Sequence, residues 1–122
     1  MFNKEPRRFD LNETKNIWLR ENDSVIRLSF SFYPTDVTNY EFSIKYSEIK
    51  WDFSSAVYDL LEPGEFDSSV FDMSDAGNGN VKINIPMPTI WRNKTVQAQL
   101  ICTNDDETWV VCEFHLTTYF SD

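Results

Sequence analysis

The sequence predicts an all-β protein, an antiparallel β-sandwich of about 7–8 strands with an extended N-terminal arm. Several segments alternate strictly between apolar and polar residues, which is the pattern of a strand with one buried and one solvated face. Aromatic residues, which favour pleated surfaces, are abundant, with ten Phe, five Tyr and four Trp in 122 residues. No stretch has the regular apolar spacing of a long amphipathic helix.

The length predicts a single domain. We expect residues 1–20 to form the arm and residues 21–122 to form the sandwich. Within the arm, residues 12–21 fit either an extended segment or one short helix. Inward-facing apolar rows are predicted where every second residue is apolar, over residues 26–32, 42–46, 81–85, 96–102 and 110–116.

The last two rows predict a hairpin. Because directly opposed residues share a face, the even-numbered rows place Leu100 opposite Cys112 and leave a five-residue polar tip, residues 104–108. In this register Val110 lies in the inward row. Cys102 and Cys112 become diagonal neighbours, about 7–8 Å apart, which is too far for comfortable bridging. We therefore predict two free thiols.

The net charge of the chain indicates which classes of partner it can bind. The net charge is −9, which argues against binding to nucleic acid or to an anionic membrane, since both need clustered basic groups. The charge is uneven: residues 1–20 carry five basic and three acidic side chains, and the rest of the chain carries six basic and seventeen acidic ones. A mildly basic arm on an acidic body could dock onto an acidic face of a neighbour.

The sequence offers little reactive chemistry, and we predict that the chain is not an enzyme and needs no cofactor. His115 is the only histidine, and it falls on the polar side of the last strand with no nucleophile motif nearby. No zinc or EF-hand spacing occurs. The weak candidates for an irregular calcium site are Asp72 and Asp75, together with Asn78 and Asn80.

Candidate binding residues come from aromatic and arginine side chains, which dominate protein interfaces. On the arm and in the connections, the predicted interface residues are Phe2, Arg7, Arg8, Phe9, Trp18, Trp91 and Trp109. Trp109 is expected on the solvated side of the hairpin, beside its acidic tip. Trp91 and Trp109 could also serve as stacking platforms for a sugar.

A known family shares the order of these features. A turn at residues 77–79 leads to an alternating strand that ends in Ile-Pro, residues 81–86. Residues 95–100, an acidic tip and residues 111–116 follow, and residues 22–28 match the first strand of the pattern. The chain thus resembles the N-terminal domain of phage baseplate upper proteins of Gram-positive hosts. It departs from them at Asn93-Lys94, where the family often has glycine, and it lacks their long C-terminal extension.

The resemblance implies a structural protein of the virion, made in the bacterial cytoplasm, that attaches fibres or receptor-binding parts to a tail baseplate or capsid. Its expected partners are other virion proteins and further copies of itself, for example in a trimer, with a host glycan as an additional ligand. The absence of an apolar leader segment agrees with synthesis in a cytoplasm. Two alternatives remain open: a carbohydrate-binding module, and an acidic inhibitor that mimics nucleic acid.

Overall fold

The computed structural model describes residues 7–20, 24–49, 63–88 and 95–119. These residues form two β-sheets that enclose one apolar core, which confirms the predicted all-β sandwich. In chain order the strands are β1 Arg8–Asp10, β2 Asn16–Arg20, β3 Val25–Ser31, β4 Glu41–Ile49, β5 Gly64–Phe66, β6 Phe71–Asp72, β7 Asn80–Pro86, β8 Thr95–Asn104 and β9 Glu107–Tyr119. The described ranges contain no helix that is long and apolar enough to cross a membrane.

The strands divide into a four-stranded sheet, ordered β1-β3-β7-β6, and a five-stranded sheet, ordered β2-β9-β8-β4-β5. The neighbours β3 and β7 are antiparallel, as are β4 and β8 and the hairpin β8–β9. The alternating rows explain this arrangement, because a strand with one apolar face can only bury that face against a second sheet. For example, Leu28 and Ile83 oppose each other across β3 and β7, and both are fully buried.

The N-terminal segment differs from the prediction. Residues 8–10 and 16–20 are not an arm separate from the sandwich, because β1 pairs with β3 and β2 pairs with β9. Both pairings are parallel, so the sheets are mixed and not purely antiparallel. In β2 the side chains of Ile17 and Leu19 are buried in the core, which rules out the short helix. The boundary at residue 20 therefore does not mark the start of the sandwich.

Apolar burial accounts for this difference. A strand that buries two large aliphatic side chains gains roughly 1.5–3 kcal/mol for each one, which favours β2 in the sheet over a solvated arm. The connection between β1 and β2 carries Leu11, which is also fully buried. Since β1 and β2 are edge strands of different sheets, this connection closes one side of the sandwich.

The β8–β9 hairpin confirms the predicted register in its lower part. Leu100 opposes Cys112, and the predicted row continues with Phe114 and Leu116, both buried. Above this point the register shifts by one residue, because Val111 has no partner on β8 and forms a β-bulge. The tip is a two-residue turn at residues 105–106 instead of the predicted five-residue loop.

The bulge exchanges the two faces of β9 beyond Val111. Trp109 opposes Cys102 and so lies on the core-facing side of the hairpin, whereas Val110 opposes Ile101 on the outer face. The prediction that Val110 lies in the inward row is therefore wrong. Trp109 lies on the other face from the one predicted, but it stands at the end of the sandwich and remains 40 % exposed. The two cysteines are free thiols, as predicted.

Candidate protein interface

Three connections meet at one end of the sandwich, and we call residues 32–41, 73–80 and 103–110 the acidic end. The strand register brings them together, because Ser31 pairs with Asn80 and Glu41 pairs with Thr103. Backbone hydrogen bonds join the first two connections: the Phe32 N–H donates to the Gly79 carbonyl at 2.6 Å, and Val37 donates to Ala76 at 3.0 Å. The end is thus a continuous surface built on paired strands.

The acidic end carries charge of one sign. Its ranges contain no lysine, arginine or histidine. All of its carboxylates are exposed, namely Asp36, Glu41, Asp75, Asp105, Asp106 and Glu107. Such a group of like charges produces a negative potential that attracts basic surfaces and raises the rate of their association.

Aromatic rings lie beneath this surface. The ring of Phe42 lies 5.4 Å from that of Phe32 and 5.5 Å from that of Phe71, measured between centroids. On its other side, Tyr40 is 6.4 Å from Phe42 and packs edge-on against Trp109 at 6.2 Å. Because each ring is held by its neighbours, an aromatic side chain exposed here is presented by a rigid base.

Three of the large apolar side chains that are exposed in the described residues belong to the acidic end. Tyr33 is 78 % exposed, Val110 is 47 % exposed and Trp109 is 40 % exposed. Exposed tyrosine and tryptophan surrounded by polar residues form the arrangement found at protein interfaces. Sequence reasoning missed Tyr33 and Val110, since nothing local shows that the loop and the bulge expose them.

Gly79 fixes the loop that carries Tyr33. Its φ of 83° lies in the left-handed region, which favours glycine. A Cβ atom at this position would lie 2.7 Å from the Thr35 carbonyl oxygen and 2.8 Å from the Tyr33 nitrogen. The backbone therefore approaches so closely that a side chain has no room at residue 79.

Aspartates organise the connections from within. The carboxylate of Asp36 accepts hydrogen bonds from the hydroxyl of Thr38 at 2.6 Å and from its backbone N–H at 2.9 Å, and both bonds lower the pKa of Asp36. Asp75 accepts from the side-chain amides of Asn78 and Asn80, each at 2.7 Å. These two bonds lower the pKa of Asp75.

The weak calcium candidates Asp72 and Asp75 are hydrogen-bonded within their own turns. Both oxygens of Asp75 are occupied by the amide groups of Asn78 and Asn80, and Asp72 accepts from the Ser74 backbone at 2.9 Å. Among the residues that the structure describes, no group of three or more His, Cys, Asp or Glu side chains could hold a metal ion. The weak candidates Asp72 and Asp75 therefore act as acceptors within their own turns.

The predicted N-terminal interface residues lie elsewhere. Arg7 packs over the Phe9 ring at 5.1 Å and donates to the Trp18 carbonyl oxygen at 3.5 Å. Arg8 donates to the Leu28 carbonyl at 2.6 Å and to the Asn84 side chain at 3.1 Å. These contacts hold β1 and β2 against the sandwich, and Phe9 packs against the core.

Trp18 and Trp109 do not share a surface. Trp18 is 58 % exposed, but it opposes Thr117 on β9, eight residues from Trp109, which corresponds to roughly 26 Å along a strand. Phe2 and Trp91 lie outside the described residues. Because Trp91 was one of the two predicted sugar platforms, that pair lies partly outside the described residues; its other member, Trp109, is turned edge-on to Tyr40.

The two cysteines carry no activated thiol. Burial raises the pKa of the Cys102 thiol to about 11, and it also raises the pKa of Cys112. A nucleophilic cysteine needs a lowered pKa, so both cysteines serve as small apolar side chains. His115 lies on the outer face of the five-stranded sheet, opposite Gln97.

Comparison with known proteins does not extend this description. No model of a protein family matches the chain, and no curated protein matches it. The resemblance to baseplate upper proteins therefore stays a prediction. The geometry and charge of the acidic end are the features of the fold that indicate a function.

Proposed function

We propose that the chain is a non-enzymatic structural module of a phage virion, which attaches fibres or receptor-binding parts to a tail baseplate or capsid. It binds a neighbouring virion protein through the acidic end. The observation that supports this proposal is that exposed Tyr33 and Trp109 lie at the same end of the sandwich as six exposed carboxylates.

The chemistry of the acidic end defines its partner. A surface without basic residues repels nucleic acid and anionic lipid, so a protein with a basic patch is the matching partner. The aromatic side chains supply the apolar centre of the contact, and the carboxylates form its rim. Rim charges mainly set the rate of association, whereas buried aromatic anchors set the lifetime of the complex.

The resemblance to baseplate upper proteins supports the virion as the place of this contact. Most soluble oligomers are symmetric homo-oligomers. We therefore expect further copies of the chain in the assembly, for example as a trimer. Light scattering at increasing protein concentration measures this directly.

The test of the proposal is the protein composition of purified virions. The phage gene is changed to encode Tyr33→Ala, and mass spectrometry measures how much of the chain remains in the particles. Loss of one aromatic anchor of an interface costs about 2 kcal/mol or more, so we expect at least a tenfold decrease. Tyr33 is largely exposed, so its truncation leaves the fold intact.

A matched control is Val25→Ala, a half-buried apolar residue at the opposite end of the four-stranded sheet. This variant should enter particles like the wild type. If the wild-type chain is absent from virions, the structural role is wrong. If Tyr33→Ala is incorporated normally, the acidic end is not the contact surface.

The six carboxylates also favour a second candidate, an acidic inhibitor that occupies the basic groove of a nucleic-acid enzyme. In that case charge carries the binding, so Asp105→Asn combined with Asp106→Asn should weaken it more than Tyr33→Ala does. The inhibition should also fall steeply with added salt. Inhibition of a purified nuclease by a chain that is absent from virions would favour this candidate over the adaptor.

A further inference from the structure

An open groove runs along the outer face of the five-stranded sheet, on the side of the sheet that faces away from the core. Its volume is about 510 Å³. It is formed where β4 lies between β5 and β8, and its lining is part apolar and part polar. The lining residues are Lys45, Tyr46, Ser47, Pro63, Gly64, Glu65, Gln97 and Gln99. None of these residues belongs to the acidic end.

The two glutamines of the groove are held in place by a common partner. The Gln99 side-chain nitrogen donates to one oxygen of Glu113 at 2.8 Å, and the Gln97 nitrogen donates to the other oxygen at 3.5 Å. Because Glu113 lies on β9, it draws both amide nitrogens to that side. The amide oxygens remain as acceptors for a ligand, with an orientation that is set before the ligand binds.

Donors and acceptors alternate across the groove. Lys45 opposes Gln99 on β8 and Glu65 on β5, so an ammonium donor stands between an amide and a carboxylate. Ser47 opposes Gln97, and its hydroxyl can both donate and accept. The Lys45 charge is balanced by Glu65, and Glu113 adds one negative charge beside the two glutamines.

We infer that this groove binds a neutral saccharide. Each sugar hydroxyl donates and accepts a hydrogen bond, and the alternating lining offers a partner for both. A phosphate or sulfate ligand would need several cationic donors, whereas the groove supplies one. An apolar ligand would cover the two amide oxygens and the Glu65 carboxylate without giving them a hydrogen bond, which is costly.

Trp18 extends the same face of the sheet toward its other edge. It lies on β2, three strand spacings or about 14 Å across the sheet from β4. The register places it level with Ile49, four residues or roughly 13 Å along β4 from Lys45. An oligosaccharide that runs obliquely across the strands therefore meets hydrogen-bonding groups first and an exposed indole at its end.

The test is an NMR titration of the ¹⁵N-labelled chain with defined neutral oligosaccharides of glucose, galactose, N-acetylglucosamine and rhamnose. We expect saturable shifts of the side-chain amide signals of Gln97 and Gln99 and of the Trp18 indole N–H. The Asn84 side-chain amide, on the outer face of the other sheet, and the Trp109 indole should not move. Sulfated and sialylated oligosaccharides serve as the anionic comparison.

The double variant Gln97→Ala/Gln99→Ala should bind the selected oligosaccharide at least about tenfold more weakly, because two hydrogen bonds of roughly 1 kcal/mol each are removed. Asn84→Ala is the matched control and should bind normally. The inference fails if no neutral oligosaccharide produces saturable shifts at millimolar concentration, if only anionic ones bind, or if the double variant binds unchanged. Tyr33→Ala should leave this binding intact, which separates the groove from the proposed function.

Discussion

Replacing Gly79 by alanine tests the packing of the acidic end most directly, because a matched change is available two residues away. At residue 79 the added Cβ atom would meet two backbone atoms, the Thr35 carbonyl oxygen at 2.7 Å and the Tyr33 nitrogen at 2.8 Å. At Gly77 the nearest atom is the Thr38 hydroxyl oxygen at 3.8 Å, which is an ordinary contact. Both substitutions therefore add one methyl group, but in different surroundings.

The structure sets the expected magnitude of each change. Alanine at residue 79 must adopt the left-handed φ of 83°, which costs about 1–2 kcal/mol. Displacing the backbone that it touches adds about 1–3 kcal/mol, as overpacking in a core does. We expect Gly79→Ala to lower the free energy of unfolding by about 2–5 kcal/mol. Gly77→Ala should leave it unchanged or raise it by about 0.4–1 kcal/mol, because alanine restricts the unfolded chain.

Urea denaturation followed by tryptophan fluorescence measures both variants. With a slope of about 1–3 kcal/mol per molar urea, the midpoint of Gly79→Ala should fall by at least roughly 0.7 M. A second readout is the Tyr33 backbone N–H signal in NMR spectra, which should shift in Gly79→Ala and stay in place in Gly77→Ala. Equal midpoints for the two variants would refute the close approach of these backbones.

Three further outcomes follow from the structure. In the same urea assay, Leu19→Ala should lower the free energy of unfolding by about 2–5 kcal/mol, and Trp18→Ala should lower it by less than about 0.5 kcal/mol. Similar losses for the two variants would contradict the place of β2 in the sheet. Iodoacetamide near neutral pH should leave Cys102 and Cys112 unmodified in the folded chain, because burial raises the pKa of each thiol, and it should alkylate both in urea. Rapid alkylation of the native chain would contradict the burial of the two thiols. The pKa of Asp75 is lower in the folded chain than in the unfolded one, so its stabilising effect is complete above about pH 4 and is lost as the pH falls through the folded value. Urea midpoints of wild type and Asp75→Asn should therefore converge at low pH, and a constant difference down to pH 2 would contradict this reasoning.

Alternation predicted the strands whose two faces differ most. Leu28, Val81 and Ile83 stand between polar neighbours, and each is buried as expected. The hairpin register at Leu100 and Cys112 was predictable because the turn and both rows lie close together in the chain. Alternation with a period of two specifies the register locally, since a slip by one residue would expose an apolar row.

The N-terminal strands could not be predicted in this way. β2 pairs with a strand about a hundred residues later in the chain, with Ile17 beside Leu116, and no local pattern specifies a parallel partner at that separation. In addition, Ile17, Trp18 and Leu19 are all apolar, which hides the alternation of faces. The burial of Ile17 and Leu19 appears only once the core is assembled.

The candidate interface was only partly predictable, for a related reason. The acidic composition of the hairpin tip and the presence of Trp109 are visible in the sequence. The bulge at Val111 is not, because its neighbours Val110 and Cys112 fit an uninterrupted row equally well. One unpaired residue therefore decided which side of the sheet receives Trp109.

The parallel pairing of β2 with β9 also has a consequence for biosynthesis. A ribosome delivers residues 16–20 long before residues 115–119, and translation proceeds at about 5–20 residues per second. For several seconds the buried side chains of Ile17 and Leu19 have no sheet to enter, and they stay available to chaperones or to neighbouring nascent chains. The five-stranded sheet closes only when its last partner strand emerges, so an early segment of the chain completes the fold at a late step.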